Sequence, residues 1–341
     1  MTYEEVIVEA RKHLGRLCKA CPVCDGRACG NMIPGPGSKG RGELAVRNYK
    51  AWQKLCVCMD TICENRPVDM SLDFLGKRFK YPIFAAPIGA VNIHFGDRYD
   101  DMQYNDIMVS ACAKAGIAAF TGDGVLPAVM DYATQAIAKN GGIGIPTIKP
   151  WDIGTIRKKA EFVKRSGSFA VAMDIDAAGL PFLKNSQPPA GSKTVEELRS
   201  IINEIGKPMI LKGIMTVKGA EKAVEAGASA IVVSNHGGRV LDQCQSTADV
   251  LEDIAKAVNG RIAVLVDGGI RSGIDVFKAL ALGADGVLIC RPFAVAAFGA
   301  AEAGVDCYIN KLAFELEDTM AMCGAHSLSG ITRDMVAYTR E

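Results

Sequence analysis

From Tyr81 onward the chain alternates between two textures, and that alternation narrows its possible folds more than any other feature. Eight short apolar runs recur: "PIFAAP", "GIAAFT", "GIGIPT", "FAVAMDID", "PMILKG", "AIVVSN", "IAVLVDG" and "GVLICRP". Between them lie stretches of helical periodicity, such as "TVKGAEKAVEAGA", "TADVLEDIAKAVNG" and "GIDVFKALALGA". A continuous apolar run suits a strand buried on both faces, so the pattern predicts a parallel sheet covered by helices. An open doubly wound sheet competes with a closed barrel. No run leads into the GxGxxG fingerprint of a dinucleotide-binding helix, and eight strand–helix units over about 250 residues is the barrel's own count. The expected fold is α/β, a (β/α)8 TIM barrel over residues 81–341. Residues 1–80 are expected to form a Cys-rich extension of helices and loops packed on it.

Composition removes other classes. With 49% hydrophobic residues and a formal net charge of +1, the chain has ample core material and no electrostatic footprint for nucleic acid or an anionic membrane. No apolar run is long enough to span a bilayer, and "MTYEEVIVEARKHLG" does not read as a secretory leader. The expected location is the cytoplasm.

In a (β/α)8 barrel the chemistry sits at the carboxyl ends of the strands. The fifth run ends at Lys212, and the sixth at Ser234, Asn235 and His236 with Arg239 just beyond. The seventh ends at Asp267, followed by Gly268, Gly269 and Arg271, and the eighth at Cys290 and Arg291. Four cations, a histidine and a carboxylate at one mouth are costly unless an anion joins them. "DGGIRSG" and "CRP" have the composition and position of a phosphate cradle: glycines admit backbone N–H groups, helix N-termini add their dipoles, and Arg271 and Arg291 add bidentate contacts. His236 then reads as a general base, with Asp267 orienting its ring and Arg239 holding a substrate carboxylate. The competing reading makes His236 a satisfied core histidine. The proline-rich "AAGLPFLKNSQPPAGSK" after the fourth strand is a long loop on the same face and reads as a lid.

"SNHGGRVLD" together with "VDGGIRSGIDVFKALALGADGVLICRP" resembles the FMN-dependent α-hydroxy acid dehydrogenase/oxidase family, which includes glycolate and lactate oxidases. The likeness extends through "PMILKGIMT" to "PIFAAP" and "LDFLGKRFKYP". The resemblance implies FMN as cofactor and a small 2-hydroxy acid as substrate, oxidised to the 2-keto acid. It implies that His236 takes the hydroxyl proton while a hydride passes to flavin N5, with Asp267 supporting the imidazolium and Arg239 binding the carboxylate. Lys212 is implied near flavin N1, Ser234 against the flavin, and Gly269, Arg271 and Arg291 at the phosphate. Backbone around Ala86 and Pro87, with the Thr121 side chain, is implied at the isoalloxazine. The electron acceptor, oxygen or another carrier, stays open; homo-oligomers are implied. A different substrate, or a redox sensor without turnover, are the competing functions. Three family positions depart. "NMIPGPGSKGRG" lacks the N-terminal tyrosine, Ile148 stands near the tyrosine expected after the third strand, and the lid has no arginine, with Lys184 and Lys193 as alternatives.

Twelve cysteines are unevenly placed. Cys112, Cys244, Cys290, Cys307 and Cys323 are scattered and read as small hydrophobes. "CKACPVCDGRAC" spaces Cys18, Cys21, Cys24 and Cys29 as C-x2-C-x2-C-x4-C. The first three cysteines share the spacing of a ferredoxin run and the interval to the fourth does not match; an iron–sulfur cluster, a tetrahedral zinc and free thiols are all open. Cys56, Cys58 and Cys63 are further candidate ligands. A cluster beside FMN implies electrons leaving by a relay and not to oxygen.

Overall fold

The computed structural model describes residues 1–14, 17–183, 186–187 and 189–339. All eight apolar runs become strands: β1 Ile83–Ala85, β2 Ala118–Thr121, β3 Ile145–Ile148, β4 Val171–Asp174, β5 Met209–Ile214, β6 Ala230–Val233, β7 Ala263–Val266 and β8 Gly286–Ile289. They close into one parallel barrel, β8 pairing with β1 through Leu288 and Phe84. Strand alternation fills both faces. In β6, Ala230 and Val232 point into the barrel interior, while Ile231 and Val233 join the layer beneath the helices.

The outer ring comprises α1 Asp101–Lys114, α2 Pro127–Lys139, α3 Ile153–Ser166, α4 Val195–Ile205, α5 Val217–Ala226, α6 Thr247–Val258, α7 Gly273–Ala281 and α8 Arg291–Met322, the last interrupted at Ala300–Ala301. Asp100, Thr194, Ser246 and Ser272 close capping boxes at the starts of α1, α4, α6 and α7. Each cap is worth about 0.5–2 kcal/mol. Because every helix follows its strand, these N-termini all face the strands' carboxyl ends.

The segment before β1 contains helices Tyr3–Arg11 and Glu43–Gln53, as expected, but also strands that were not. Leu72–Phe74 and Lys77–Phe79 pair as a hairpin across Leu75 and Gly76, both at positive φ, the conformation a tight two-residue turn demands. Its Phe74 and Phe79 rings sit 5.4 and 5.3 Å from Phe84, which also meets Phe120 at 5.9 Å. The hairpin therefore plugs the amino end of the barrel with aromatic rings. Leu55–Val57 pairs antiparallel with Val336–Tyr338. The signal for the hairpin was the "Leu-Gly" turn between two short alternating triplets; no local signal announces the second pairing, because its partner lies at the far end of the chain.

Phe84 is fully buried among these rings, whereas Phe314 on α8 is 72% exposed. Phe84→Ala is expected to lower stability by about 3–5 kcal/mol and Phe314→Ala by under about 0.5 kcal/mol, both read by denaturant titration. Equal effects would contradict the packing described.

Candidate active site

The carboxyl ends of the strands surround a cavity of about 460 Å3, within the range of small-molecule and cofactor sites. Of the residues singled out above, Ala86, Pro87, Lys212, His236, Arg239, Asp267, Gly268, Gly269, Arg271, Cys290 and Arg291 line it. Thr121 and Ser234 do not. Thr121 ends β2 with its hydroxyl buried and unpartnered, and the Ser234 Oγ accepts from the His236 backbone N–H at 3.2 Å.

A network of opposite charges forms the floor. Lys212 Nζ donates to Asp174 Oδ1 at 3.1 Å and lies 3.6 Å from Asp267 Oδ2, while Lys149 Nζ reaches Asp174 Oδ2 at 3.2 Å. Burial works against the Lys212 ammonium, but the carboxylates of Asp174, Asp267 and Asp176 outweigh it and hold the lysine above its ordinary range. Burial likewise opposes the Asp174 carboxylate, and His236, Lys212 and Lys149 overcome it, leaving Asp174 well below the usual range. Asp267 goes the other way: burial raises it more than Lys212 and the Ser234 hydroxyl lower it, and its Oδ1 has no partner.

The expected pairing of His236 with Asp267 is corrected by this geometry. His236 Nδ1 lies 3.0 Å from Asp176 Oδ1 and 3.6 Å from Asp174 Oδ1, whereas the Asp267 carboxylate turns to Lys212. Asp174 ends β4 and Asp176 follows in the turn Ile175–Gly179, so this strand end, not that of β7, presents carboxylates to the ring. A carboxylate on Nδ1 fixes the proton there and leaves Nε2 as the free basic nitrogen.

The far end of the cavity is cationic and glycine-lined. Gly268 and Gly269 have φ of +88° and +91°, and a Cβ on Gly269 would lie 2.3 Å from the Asn48 carbonyl oxygen. The turn after β7 thus needs both glycines. Arg271 Nη2 and Arg291 Nη1 are buried without a partner. Two orphaned guanidinium donors beside the N-termini of α7 and α8 fit the phosphate of FMN, and the unpartnered Thr147 and Asp267 oxygens offer further polar contacts along the wall.

Other expectations change at the mouth. Ile148 is fully buried beneath the helices, and its neighbours Thr147 and Lys149 line the cavity, because alternate residues of a strand face opposite ways. Lys193 is turned away, donating to the carbonyls of Pro150 and Gly191, and Lys184 falls outside the described residues. Lys149 is instead the cation that β3 brings to the mouth. Arg239 lines the cavity while its Nη1 donates to the carbonyls of Gly35 and Gly37, so it also anchors the extension. Leu180, Phe182 and Leu183 of the long loop line the entrance, in keeping with a lid. Sequence reasoning missed Asp174, Asp176, Lys149 and Asp123. The last is buried, accepting from Trp151 Nε1 at 2.7 Å and Lys159 Nζ at 2.5 Å. The strand-end rule applied to "IPTIKPW" and "FAVAMDID" as well as to the last four strands finds the first three. The four cysteines Cys18, Cys21, Cys24 and Cys29 line a separate, smaller cavity behind Arg291.

His94 also lines the main cavity, its Nδ1 accepting from the Gly35 N–H at 3.3 Å. Burial, then the charges of Arg239, Lys149 and His236, push its pKa from an ordinary 6.5 down to about 3. The unfolded chain therefore takes up a proton below about 6.5 that the folded chain refuses. Stability from keeping His94 neutral is complete above that value and is lost as pH falls toward 3. At about pH 4 the loss is on the order of 3 kcal/mol. His94→Gln is expected to flatten stability against pH in this window, measured by urea titration at each pH; an unchanged acid limb would contradict it.

Comparison with known proteins agrees with the site. The sequence profile of the family described as FMN-dependent dehydrogenase matches residues 36–183 and 182–338. A peroxisomal (S)-2-hydroxyacid oxidase of Arabidopsis thaliana is 32% identical over 337 residues, spanning 86% of this chain and 88% of the relative. A glycolate oxidase of Spinacia oleracea is 32% identical over 349 residues, spanning 88% and 89%. Among solved structures, a mandelate oxidase variant with (S)-mandelic acid superposes with a TM-score of 0.81 at 26% identity, covering 100% of this chain and 98% of the other. On the matched length and the identity to full-length relatives, this chain belongs to the FMN-dependent dehydrogenase family.

Proposed function

We propose that this protein oxidises a 2-hydroxy acid to the 2-keto acid with FMN as cofactor. The single observation that carries the reading is His236, held at Nδ1 by the Asp176 carboxylate inside a cavity that also presents Lys212, Arg239 and two unpartnered guanidinium donors. FMN, when bound, supplies the hydride acceptor. Arg271, Arg291 and the Gly268–Gly269 turn would hold its phosphate, with Ala86 and Pro87 on the cavity wall beside it. His236 Nε2 takes the substrate hydroxyl proton as the α-carbon gives up its hydride, and the resulting imidazolium is stabilised by Asp176 and Asp174. Arg239 and Lys149 bind the substrate carboxylate. Lys212, kept charged by its carboxylates, stabilises negative charge developing in the site.

The entrance favours a substrate with an apolar side chain. Ile93, Val125, Leu126 and Phe182 line the cavity, yet each is at least 41% exposed, an apolar rim that the described residues leave uncovered. Mandelate and longer aliphatic 2-hydroxy acids are expected to bleach the flavin faster than glycolate in anaerobic mixing. Phe182→Ala should narrow that preference through KM. Bleaching by none of them, in FMN-loaded protein, would refute the reading.

His236→Asn is expected to retain FMN and lose flavin reduction by substrate by a factor of about 10^2–10^4, the usual weight of a general base. Full reduction in that variant overturns the assigned base. Whether oxygen or another carrier accepts the electrons is read by oxygen uptake against dye reduction with the same substrate.

All twelve cysteines are free, which supports a reducing compartment such as the cytoplasm, and no helix among the described residues is long and apolar enough to cross a membrane. Homo-oligomers fit the family and are checked by sedimentation. The same reading takes the segment from Cys18 to Cys29 as a metal centre.

A further inference from the structure

We propose that Cys18, Cys21, Cys24 and Cys29 hold an iron–sulfur cluster, and not a single zinc ion, next to the anion-binding end of the main cavity. This rests on reading the four cysteines as a metal centre and is independent of the flavin.

The four residues lie on a stretch of turns and loop, not on a helix, and all of them line one small cavity. Ala20 and Gly26, at φ of +41° and +90°, curl the backbone around it. The curl is pinned from outside. Arg11 Nε donates to the Ala20 carbonyl at 3.0 Å, and Arg271 Nε donates to the Cys24 carbonyl at 2.7 Å.

The sulfur spacing separates the two metal chemistries. Zinc in a tetrahedral four-thiolate site, with bonds of about 2.3 Å, requires its sulfurs about 3.8 Å apart. Among the described residues, no three of these cysteine sulfurs lie within 4.8 Å of one another. Four cysteines that line one space, with no three of their sulfurs as close as one ion requires, fit a core in which the sulfurs bind different irons.

The surroundings suit a negatively charged core. Tyr3, Pro292 and Val295 supply apolar walls, and the Arg291 guanidinium sits against Cys29 as a compensating charge. Arg291 and Pro36 line both cavities, so only their width separates the cysteine pocket from the main site.

The test is metal and sulfide analysis of the full chain, purified and reconstituted with iron and sulfide without oxygen, with bound flavin quantified separately. Expected are iron and acid-labile sulfide in equal, multi-atom amounts per chain, and a paramagnetic signal after dithionite reduction. Cys21→Ser with Cys24→Ser should lose at least tenfold of both while retaining flavin, whereas Cys56→Ser with Cys58→Ser should keep both. One zinc per chain without sulfide, or flavin-loaded protein that takes up neither iron nor sulfide, overturns the proposal. If the first pair does not fold, the analysis of the unaltered chain decides alone. Iron and sulfide in a chain without flavin would support the cluster and count only against the FMN reading.

Discussion

The barrel mouth depends on Lys212 remaining charged where water does not reach. Its ammonium is tolerated because two carboxylates lie within 3.6 Å, and those carboxylates in turn depend on the lysine, on Lys149 and on His236. Removing one member of such a buried set leaves its neighbours uncompensated, typically at about 3–5 kcal/mol. The aromatic and aliphatic interior below makes this interdependence strict, since it offers no polar alternative. A site of this kind has its orientation built in before any ligand arrives: the ring of His236 is set by Asp176, and the lysine by Asp174 at the end of β4 and Asp267 beyond β7.

The extension is as much a part of that site as the barrel. Asn48 and Asn235 exchange amide hydrogen bonds at 2.8 Å in both directions, and Trp52 Nε1 donates to the Gly268 carbonyl at 2.8 Å. Helix Glu43–Gln53 therefore clamps the turns after β6 and β7, the turns that carry His236 and the paired glycines. Arg239 reciprocates by tying down Gly35 and Gly37. On this side of the mouth the chain presents Gly35 and Pro36, and the rest of the rim mixes apolar with cationic groups, Leu126, Phe182, Lys149 and Arg239 among them.

The eight strands were legible because burial on both faces leaves a continuous apolar run, a signal that needs no knowledge of tertiary contacts. The residues at their carboxyl ends were legible for the same reason: where a run stops, its polar residues face the mouth. Partnerships across the mouth were not. His236 and Asp176 are sixty positions apart, and only the rotation of β4 relative to β6 decides that this carboxylate, and not Asp267, meets the ring. Ile148 shows the same limit at shorter range, since a shift of one residue in a strand exchanges the cavity for the outer core. Thr121 and Ser234 stand at the ends of β2 and β6 but just behind the cavity wall, a boundary finer than the end of an apolar run resolves.

Leu55–Val57 forms its two-stranded ribbon with Val336–Tyr338, residues that follow every barrel strand in the chain. The barrel strands and their helices are all made by then and have mostly local neighbours to find. The ribbon therefore closes after the strands that carry the site have been made, and it ties the extension to the segment beyond α8.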